Sequence, residues 1–173
     1  MSDTFSSLAQ EWLKEERAAV SESIKKFAGF LLDGDAEGVS RILNEDLLNN
    51  PSYFDFISEN SYHMFIYGML LAASSDYTVH SNRESGKGRA DCLIKPMDKN
   101  AAAAVVEFKH MKDEPRNLKE EAQKGLEQID AMTYIHNLRD EGYSRILKYG
   151  IAFHKKTCEV VIATQHNVID PPT

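Results

Sequence analysis

Apolar and polar positions alternate with a helical period through the first part of the chain. Between residues 5 and about 32, apolar side chains recur at helical spacing among charged ones, which predicts one or two amphipathic helices. Gly34 interrupts this pattern, and Asp35 has the side chain of a helix N-cap. We therefore expect a further short helix that continues through about Leu48.

The run Asn49-Asn50-Pro51-Ser52 is the clearest break in the pattern, because these residue types favour turns. The 173 residues are enough for one domain with a sizeable core and a small additional helical element. We therefore divide the chain into a helical lead segment at 1–50 and a main domain at 51–173.

The main domain alternates helical and strand-like patterns. Short apolar and β-branched runs between turn residues predict strands, and longer runs with an apolar stripe predict helices. In chain order, these are a helix at 53–73, strands at 77–81, 89–95 and 102–111, a helix after Pro115 to about Arg139, and strands at 146–153 and 159–164. The short turns between the first three strands predict an antiparallel meander. The fold class is then α/β, with a mixed sheet flanked by helices.

Charged residues in the second and third predicted strands carry the candidate chemistry. Side chains alternate across a strand, so Glu107 and Lys109 share one face about 7 Å apart, while Phe108 points into the opposite layer. A hairpin centred near Lys99 would bring Asp91 opposite Glu107. This pairing predicts two carboxylates and a lysine at one point on the sheet.

Two carboxylates and a main-chain carbonyl are hard oxygen ligands that suit Mg²⁺, which shares its shell with water and substrate phosphate. We expect Asp91, Glu107 and the carbonyl of Phe108 to hold this ion, for which Mn²⁺ can substitute. Lys109 would orient the attacking water or stabilise the transition state. These residues therefore predict a metal-dependent enzyme that acts on phosphodiesters.

The same residues resemble the signature of the PD-(D/E)XK nuclease superfamily, in which an acidic residue is followed, after a gap, by Glu or Asp, any residue, and Lys. Here the signature is Asp91 and then Glu107-Phe108-Lys109, with Ala90 where the superfamily name has proline. Further segments look like the branch of the superfamily that is often fused behind an AAA-ATPase-like domain. They are Glu59-Asn60-Ser61-Tyr62-His63, Gly86-Lys87-Gly88-Arg89-Ala90-Asp91, Gln128-Ile129 and Tyr149-Gly150-Ile151-Ala152-Phe153.

The resemblance spans about residues 53–162 and implies a restriction-endonuclease-like core. It also implies that Glu59, on the first core helix, assists the metal site and that Gln128 acts near the scissile phosphate. DNA is the substrate that the resemblance implies. His63 shares a helix face with Glu59, and we expect a packed or hydrogen-bonded histidine there rather than a catalytic one.

The first fifty residues are similar to the helices that join the ATPase-like domain to the nuclease in longer members of this branch. The chain contains no glycine-rich phosphate-binding loop with Lys-Ser or Lys-Thr. We therefore expect either a fragment or a stand-alone member, with an AAA-ATPase-like domain or protein as its candidate partner.

Composition narrows the classes of function. No run approaches the ~20 apolar residues that span a bilayer, and the start lacks the features of a secretory signal, so we expect a cytoplasmic protein with no membrane partner. The two cysteines lie in strand-like runs and are expected to be buried thiols. The net charge of −7 counts against a protein that coats nucleic acid through a broad basic face.

The sequence thus predicts a Mg²⁺-dependent nuclease that hydrolyses DNA with a metal-activated water. The alternative is a non-catalytic module that keeps the nuclease fold and binds or regulates a protein partner. The intact set of Asp91, Glu107 and Lys109 favours the enzyme, whereas the acidic balance favours the module. A metal-free hydrolase is disfavoured, because Lys109 would lower the pKa of the carboxylic acid that must stay protonated.

Overall fold

The computed structural model describes residues 2–47, 58–81, 90–112, 117–130 and 134–166, with the backbone alone at 2–17, 46–47, 134 and 166. The helices are α1 (Ser2–Asp33), α2 (Ala36–Ile42), α3 (Glu59–Ala73), α4 (Leu118–Asp130) and α5 (Tyr134–Asp140), and a π-helical turn covers Leu43–Leu47. The strands are β1 (Tyr77–Ser81), β2 (Cys92–Pro96), β3 (Ala103–His110), β4 (Arg145–His154) and β5 (Thr157–His166). Across these ranges, no helix combines the length and the apolar character needed to cross a membrane.

The described strands form one sheet in the order β1-β2-β3-β4-β5. The first three strands pair antiparallel, β4 lies parallel to β3, and β5 pairs antiparallel with β4. Parallel neighbours need a crossover connection, and α4 and α5 lie in the connection between β3 and β4. The predicted α/β class, the mixed sheet and the three-stranded meander are confirmed.

The first two helices meet at a tight turn. Gly34 has a φ of 89°, in the left-handed region that glycine tolerates, and α1 ends just before it. The Asp35 carboxylate accepts a hydrogen bond from the Gly38 N–H at 2.8 Å and caps α2. The hydroxyl of Tyr149 on β4 donates to the Leu31 carbonyl at 2.8 Å, which ties α1 to the sheet. The predicted break at Gly34 and the N-cap at Asp35 are confirmed.

Some element bounds differ from the prediction. The structure starts α3 at Glu59 rather than at residue 53, because the Ser58 side chain accepts the Ser61 N–H at 3.3 Å and acts as the N-cap. The second strand starts at Cys92 rather than at residue 89. The helix predicted up to Arg139 corresponds to α4, which is described as far as Asp130, and α5, which begins at Tyr134, and residues 131–133 between them lie outside the described residues.

Several predicted features lie outside the described residues. They include the domain boundary placed at 49–52, which stays a prediction, and the turn predicted before Ala90. The lead and the main domain nevertheless share one core within the described ranges, because Phe27 and Leu31 of α1 pack in the same cluster as Phe108 and Tyr149 of the sheet. Both cysteines are buried and free, as predicted.

Alternate residues of the central strands face two separate apolar layers. We call the layer with α1, α2 and α3 the first layer; it includes Val106 and Phe108 of β3 and Tyr149 of β4. The second layer, with α4 and α5, includes Val105 of β3 and Ile146 of β4. The two-residue period of the strands therefore decides which side chains reach α4.

Candidate active site

Asp91 and Glu107 lie next to each other at one end of the sheet. Strand β2 pairs with β3 through Cys92 and Val106, so the next step along the ladder brings Asp91 opposite Glu107. This is the register expected for the predicted hairpin. Both carboxylate residues are almost fully buried, with 7% of Asp91 and 4% of Glu107 exposed. The fold therefore holds two acidic side chains together with little access to water.

Main-chain contacts fix the position of Asp91. One oxygen of its carboxylate accepts a hydrogen bond from the Phe108 N–H at 2.8 Å. Its own N–H donates to the Glu107 carboxylate. Its carbonyl lies 3.0 Å from Nε2 of His63 on α3. Because a carbonyl can only accept, Nε2 carries the proton in this contact.

His63 is 1% exposed, and Nε2 also lies 3.1 Å from the Ser81 hydroxyl at the end of β1. The expectation that this residue is packed and hydrogen-bonded is confirmed. The contact with the Asp91 carbonyl was not predicted, although the position of His63 one helical turn after Glu59 indicated that it faces the site.

Burial and, second, the charge of Asp91 raise the pKa of Glu107 to about 7. The Lys109 ammonium and the Asp91 N–H act in the opposite direction, because both stabilise the ionised form. Oε2 of Glu107 is buried and has no hydrogen-bond partner among the described residues. Leaving such an acceptor unsatisfied costs about 1–3 kcal/mol, so this oxygen is suited to a cation.

Lys109 connects the carboxylate pair to α4. Its Nζ lies 3.2 Å from Oε1 of Glu107 and donates to Oε1 of Gln128 at 2.6 Å. An ammonium group has three N–H donors, and these contacts use two of them. The Lys109 side chain is 22% exposed, so the site is open to solvent on this side.

Two glycines allow α4 to approach the sheet closely enough for this contact. A Cβ atom at Gly150 of β4 would lie 1.9 Å from the Ala122 carbonyl oxygen of α4. A Cβ at Gly125 of α4 would lie 3.2 Å from the Gly150 Cα and 3.4 Å from the Glu107 carbonyl oxygen. The helix backbone therefore rests directly on β3 and β4, which places Gln128 within reach of Lys109.

The structure thus brings Asp91, Glu107, Lys109 and Gln128 together. Phe108 contributes its N–H to Asp91 and directs its ring into the first layer. Glu59 is the first residue of α3, on the helix that also carries His63. Within the described residues, no three His, Cys, Asp or Glu side chains are grouped closely enough to hold a metal ion, so Glu59 does not form such a group with the two carboxylates.

The sequence analysis missed two contacts between α4 and β4. Lys148 of β4 is nearly buried and pairs with Asp130 at the end of α4, and nothing in the spacing of these residues indicates the contact. The close approach at Gly150 had a signal, because an isolated glycine inside a strand pattern marks a point where another backbone comes near.

Comparison with protein families agrees with this geometry. A family model described as the PD-(D/E)XK nuclease superfamily matches residues 57–162, well over half of the 173 residues, and the matched region includes the whole site. The chain therefore belongs to the PD-(D/E)XK nuclease superfamily. The mixed sheet with flanking helices is consistent with its restriction-endonuclease-like fold. No curated protein matches the chain.

Membership of this superfamily supports nuclease activity in general, and its nucleases typically use divalent metals. The match does not test an association with an AAA-ATPase-like domain, which stays a prediction.

Proposed function

We propose that this protein is a Mg²⁺-dependent nuclease that hydrolyses phosphodiester bonds in DNA. The observation that carries the proposal is the unpartnered, buried Oε2 of Glu107 beside Asp91, with the Lys109 ammonium in contact with the same carboxylate. The superfamily match supports a nuclease, and the choice of DNA follows from the resemblance to the nucleases named above.

The residues fit a hard divalent cation. Carboxylate oxygens of Asp91 and Glu107 and the main-chain carbonyl of Phe108 are the ligands we assign. The assistance from Glu59 that the resemblance implies would act from outside this group. Mg²⁺ suits such a site because it needs only one or two protein carboxylates and keeps several waters. A cation would also lower the pKa of Glu107, because it stabilises the ionised form that burial disfavours.

When bound, the metal would lower the pKa of a coordinated water and offset charge on the phosphate. Lys109 has one N–H beyond its contacts with Glu107 and Gln128, and this donor is assigned to the attacking water or a phosphate oxygen. Gln128 holds the ammonium from the side of α4. Asp91 is fixed by the Phe108 N–H, so its carboxylate is oriented before substrate arrives.

The second candidate is a non-catalytic module with the nuclease fold that binds or regulates a protein partner. Two observations favour it: the net charge of −7 and the lack of a third His, Cys, Asp or Glu side chain grouped with the two carboxylates in the described ranges. An AAA-ATPase-like domain or protein is the partner that we propose in either case, on the resemblance of the lead segment.

Cleavage of a labelled DNA with Mg²⁺ or Mn²⁺ separates the two candidates. Wild type should cleave, and Asp91→Asn should lose at least about a hundredfold in rate, because it removes a ligand charge and keeps an acceptor for the Phe108 N–H. Asp98→Asn, in the exposed turn at the other end of β2, is the matched control and should cleave like wild type.

Calorimetric titration with Mn²⁺ tests the ion itself. Wild type should bind Mn²⁺, and Glu107→Ala should bind it much more weakly. Cleavage that is equal in wild type and Asp91→Asn would indicate a contaminating nuclease and contradict the proposal. No cleavage of duplex or single-stranded DNA, together with no Mn²⁺ binding, would favour the non-catalytic module.

A further inference from the structure

His63 lies between α3 and the two chain segments that carry the assigned metal ligands. Its Nε2 is 3.0 Å from the Asp91 carbonyl oxygen and 3.1 Å from the Ser81 hydroxyl. Its ring centroid is 5.8 Å from that of Phe108, the residue after Glu107. One buried side chain of α3 therefore contacts both the segment that carries Asp91 and the strand that carries Glu107.

Asp91 is held from two sides. It comes one residue before β2 begins at Cys92, so its position depends on contacts outside the regular ladder of that strand. On the side of β3, its carboxylate accepts the Phe108 N–H at 2.8 Å, and its own N–H donates to the Glu107 carboxylate. On the side of α3, its carbonyl accepts the Nε2–H of His63. Loss of the His63 contact would therefore remove this link between the main chain of Asp91 and α3.

The hydrogen bonds of the His63 ring show which of its nitrogens carries the proton. Since a carbonyl can only accept, the proton lies on Nε2, and the Ser81 hydroxyl oxygen then also accepts from this nitrogen. Nδ1 is buried and has no hydrogen-bond partner among the described residues. The hydrogen-bonding capacity of the ring is thus directed at Asp91 and Ser81.

Packing alone does not account for a histidine at this position. A buried acceptor without a partner, such as Nδ1, destabilises the folded state, and an aliphatic side chain would pack beside Phe108 without that penalty. An aliphatic side chain would not, however, supply the N–H that the Asp91 carbonyl accepts. The Nε2–H is therefore the property that distinguishes His63 from a packing residue.

The position of the Asp91 main chain decides where its carboxylate lies. Only one methylene group separates an aspartate carboxylate from Cα, so a shift of the main chain moves the carboxylate by a similar distance. Residues of a working site must be held within about 0.5 Å of their productive geometry. A displacement of about 1 Å can cost about a hundredfold in rate. A contact that fixes the Asp91 carbonyl therefore also fixes one of the assigned metal ligands.

We propose that His63 is a positioning residue whose Nε2–H holds Asp91 in register with Glu107 for metal binding. The inference rests on the proposed function for the identity of the ion and of the reaction. His63 acts through the main chain of Asp91, and we assign it no contact with metal or substrate.

Mn²⁺ affinity, measured by calorimetry, tests the position of the ligands. His63→Leu removes the donor, and its affinity for Mn²⁺ should fall at least about tenfold, as is usual when a group that orients a metal ligand is lost. His63→Gln keeps an N–H at the reach of Nε2 and should bind within about threefold of wild type. His63→Asn carries the same amide on a shorter side chain and should bind as weakly as His63→Leu.

A matched control separates position from stability. The Tyr77 hydroxyl on β1 donates to the Leu70 carbonyl of α3 at 2.9 Å, and this bond is buried, like that of His63. Tyr77 lies at the end of β1 away from Ser81. Tyr77→Phe should therefore lower the denaturant midpoint of unfolding and leave the Mn²⁺ affinity unchanged.

A double-mutant cycle on the single-turnover cleavage rate tests whether His63 acts through Asp91. In the wild-type background, His63→Leu should lower the rate by about ten- to a hundredfold. In an Asp91→Asn background, it should lower the residual rate by no more than about twofold, because the carboxylate that it positions is already absent. The same fold loss in both backgrounds would contradict the proposal.

Hydrogen exchange tests the same contact without metal or substrate. The Phe108 N–H donates to the Asp91 carboxylate, so its exchange reports whether this carboxylate is held in place. His63→Leu should speed the exchange of the Phe108 N–H about tenfold relative to the Val105 N–H of the same strand. In Tyr77→Phe, this ratio should equal that of wild type.

The outcomes distinguish failure of the role of His63 from failure of the nuclease. Equal Mn²⁺ affinities of His63→Gln and His63→Asn would overturn the role of His63 even if wild type cleaves DNA, and this comparison also decides if His63→Leu does not fold. If wild type neither binds Mn²⁺ nor cleaves DNA, the nuclease is wrong and hydrogen exchange decides. A faster Phe108 N–H in His63→Asn than in His63→Gln would then support the contact, and an equal ratio would overturn it.

Discussion

The two faces of β3 differ in what their side chains do. On the face toward the first layer, Ala104, Val106 and Phe108 are fully buried among apolar neighbours. On the face toward α4, the first half of the strand is equally apolar, but its last half carries Glu107 and Lys109. One strand thus contributes to a packed core on one side and to a charged site on the other.

In the last half of β3, residues that pack in the apolar core therefore alternate with residues of the charged site. The first layer gains from burying apolar area, whereas burying Glu107 beside Asp91 opposes folding until a cation or proton is present. The apolar layer therefore offsets the cost of the site. Substitutions at neighbouring positions of β3 should therefore differ in whether they mainly lower stability or mainly lower activity.

The largest effects are expected at the adjacent residues Phe108 and Lys109. Phe108→Ala should lower the free energy of unfolding by about 3–5 kcal/mol, because it removes a fully buried ring. Lys109→Ala should cost much less stability than Phe108→Ala, because Glu107 can take up a proton once its ion pair is lost. It should lower the single-turnover cleavage rate by at least about a hundredfold, because it removes the donor assigned to the reaction. Denaturant unfolding and metal-dependent cleavage of DNA measure the two quantities.

The control for Lys109→Ala is Lys95→Ala. Lys95 lies on β2, at the other end of the sheet, and pairs with Glu141. This variant should cleave DNA at the wild-type rate. A Lys109→Ala protein that unfolds as easily as Phe108→Ala would mean that the charged end of β3 also supports the core, and the separation of the two faces would be wrong.

Much of the difference between the two faces of β3 can be predicted from the sequence. The two-residue period of β3 placed Glu107 and Lys109 on one face and Phe108 on the other, and the hairpin centred near Lys99 gave the register with Asp91. These are local properties of strands and short turns. The N-cap at Asp35 was predicted for the same reason, since capping depends on a few consecutive residues.

Contacts between distant segments were not predicted. The bond from His63 to the Asp91 carbonyl and the pairing of Lys148 with Asp130 depend on how helices lie across the sheet, which no local spacing encodes. The role of Glu59 stays a prediction that metal titration of a Glu59→Gln variant can test.

The close approach of α4 gives the next largest expected effect. Gly150→Ala should lower the free energy of unfolding by about 3 kcal/mol, because the new methyl group would meet the Ala122 carbonyl and α4 would have to move. That movement would also take Gln128 away from Lys109 and lower the cleavage rate. Unfolding and cleavage measured on the same preparation test both consequences.

A second glycine-to-alanine variant provides the control. Gly68 of α3 is exposed, and a Cβ there would meet nothing within 4 Å, so Gly68→Ala should raise stability by about 0.4–1 kcal/mol. If Gly150→Ala were as stable as wild type, α4 would not rest on the sheet at this point, and the second layer would be less tightly packed than the structure shows.

The pH dependence of stability tests the cost of the buried carboxylate. The folded protein raises the pKa of Glu107 from 4.5 to about 7, so folding favours the protonated form and stability is lost as the pH rises from about 4.5 to 7. Glu107→Gln has no ionisable carboxyl group at this position, so its stability should not fall for this reason as the pH rises. In metal-free buffer, its advantage over wild type should grow by about 3 kcal/mol across this window and then level off.

Chemical unfolding at a series of pH values in the presence of a chelator measures this difference. Added Mn²⁺ should stabilise wild type but not Glu107→Gln, because ligand binding to the folded state alone increases its stability. A difference in the free energy of unfolding that stays constant at all pH values would show that Glu107 is solvated. The face of β3 toward α4 would then not oppose folding.

The smallest effect is expected at Gln128, whose hydrogen bond to the site, among the residues that the structure describes, comes from Lys109. Gln128→Ala removes one hydrogen bond from a partly exposed ammonium, worth about 1 kcal/mol, so the cleavage rate should fall by about three- to tenfold. The loss should appear in kcat rather than in KM, because the ammonium would be less well oriented while DNA binding is unchanged. Gln123→Ala, at another exposed position of α4, should leave both constants unchanged. Equal rates for the two variants would mean that Glu107 alone positions Lys109, so that the charged half of β3 would need no support from α4.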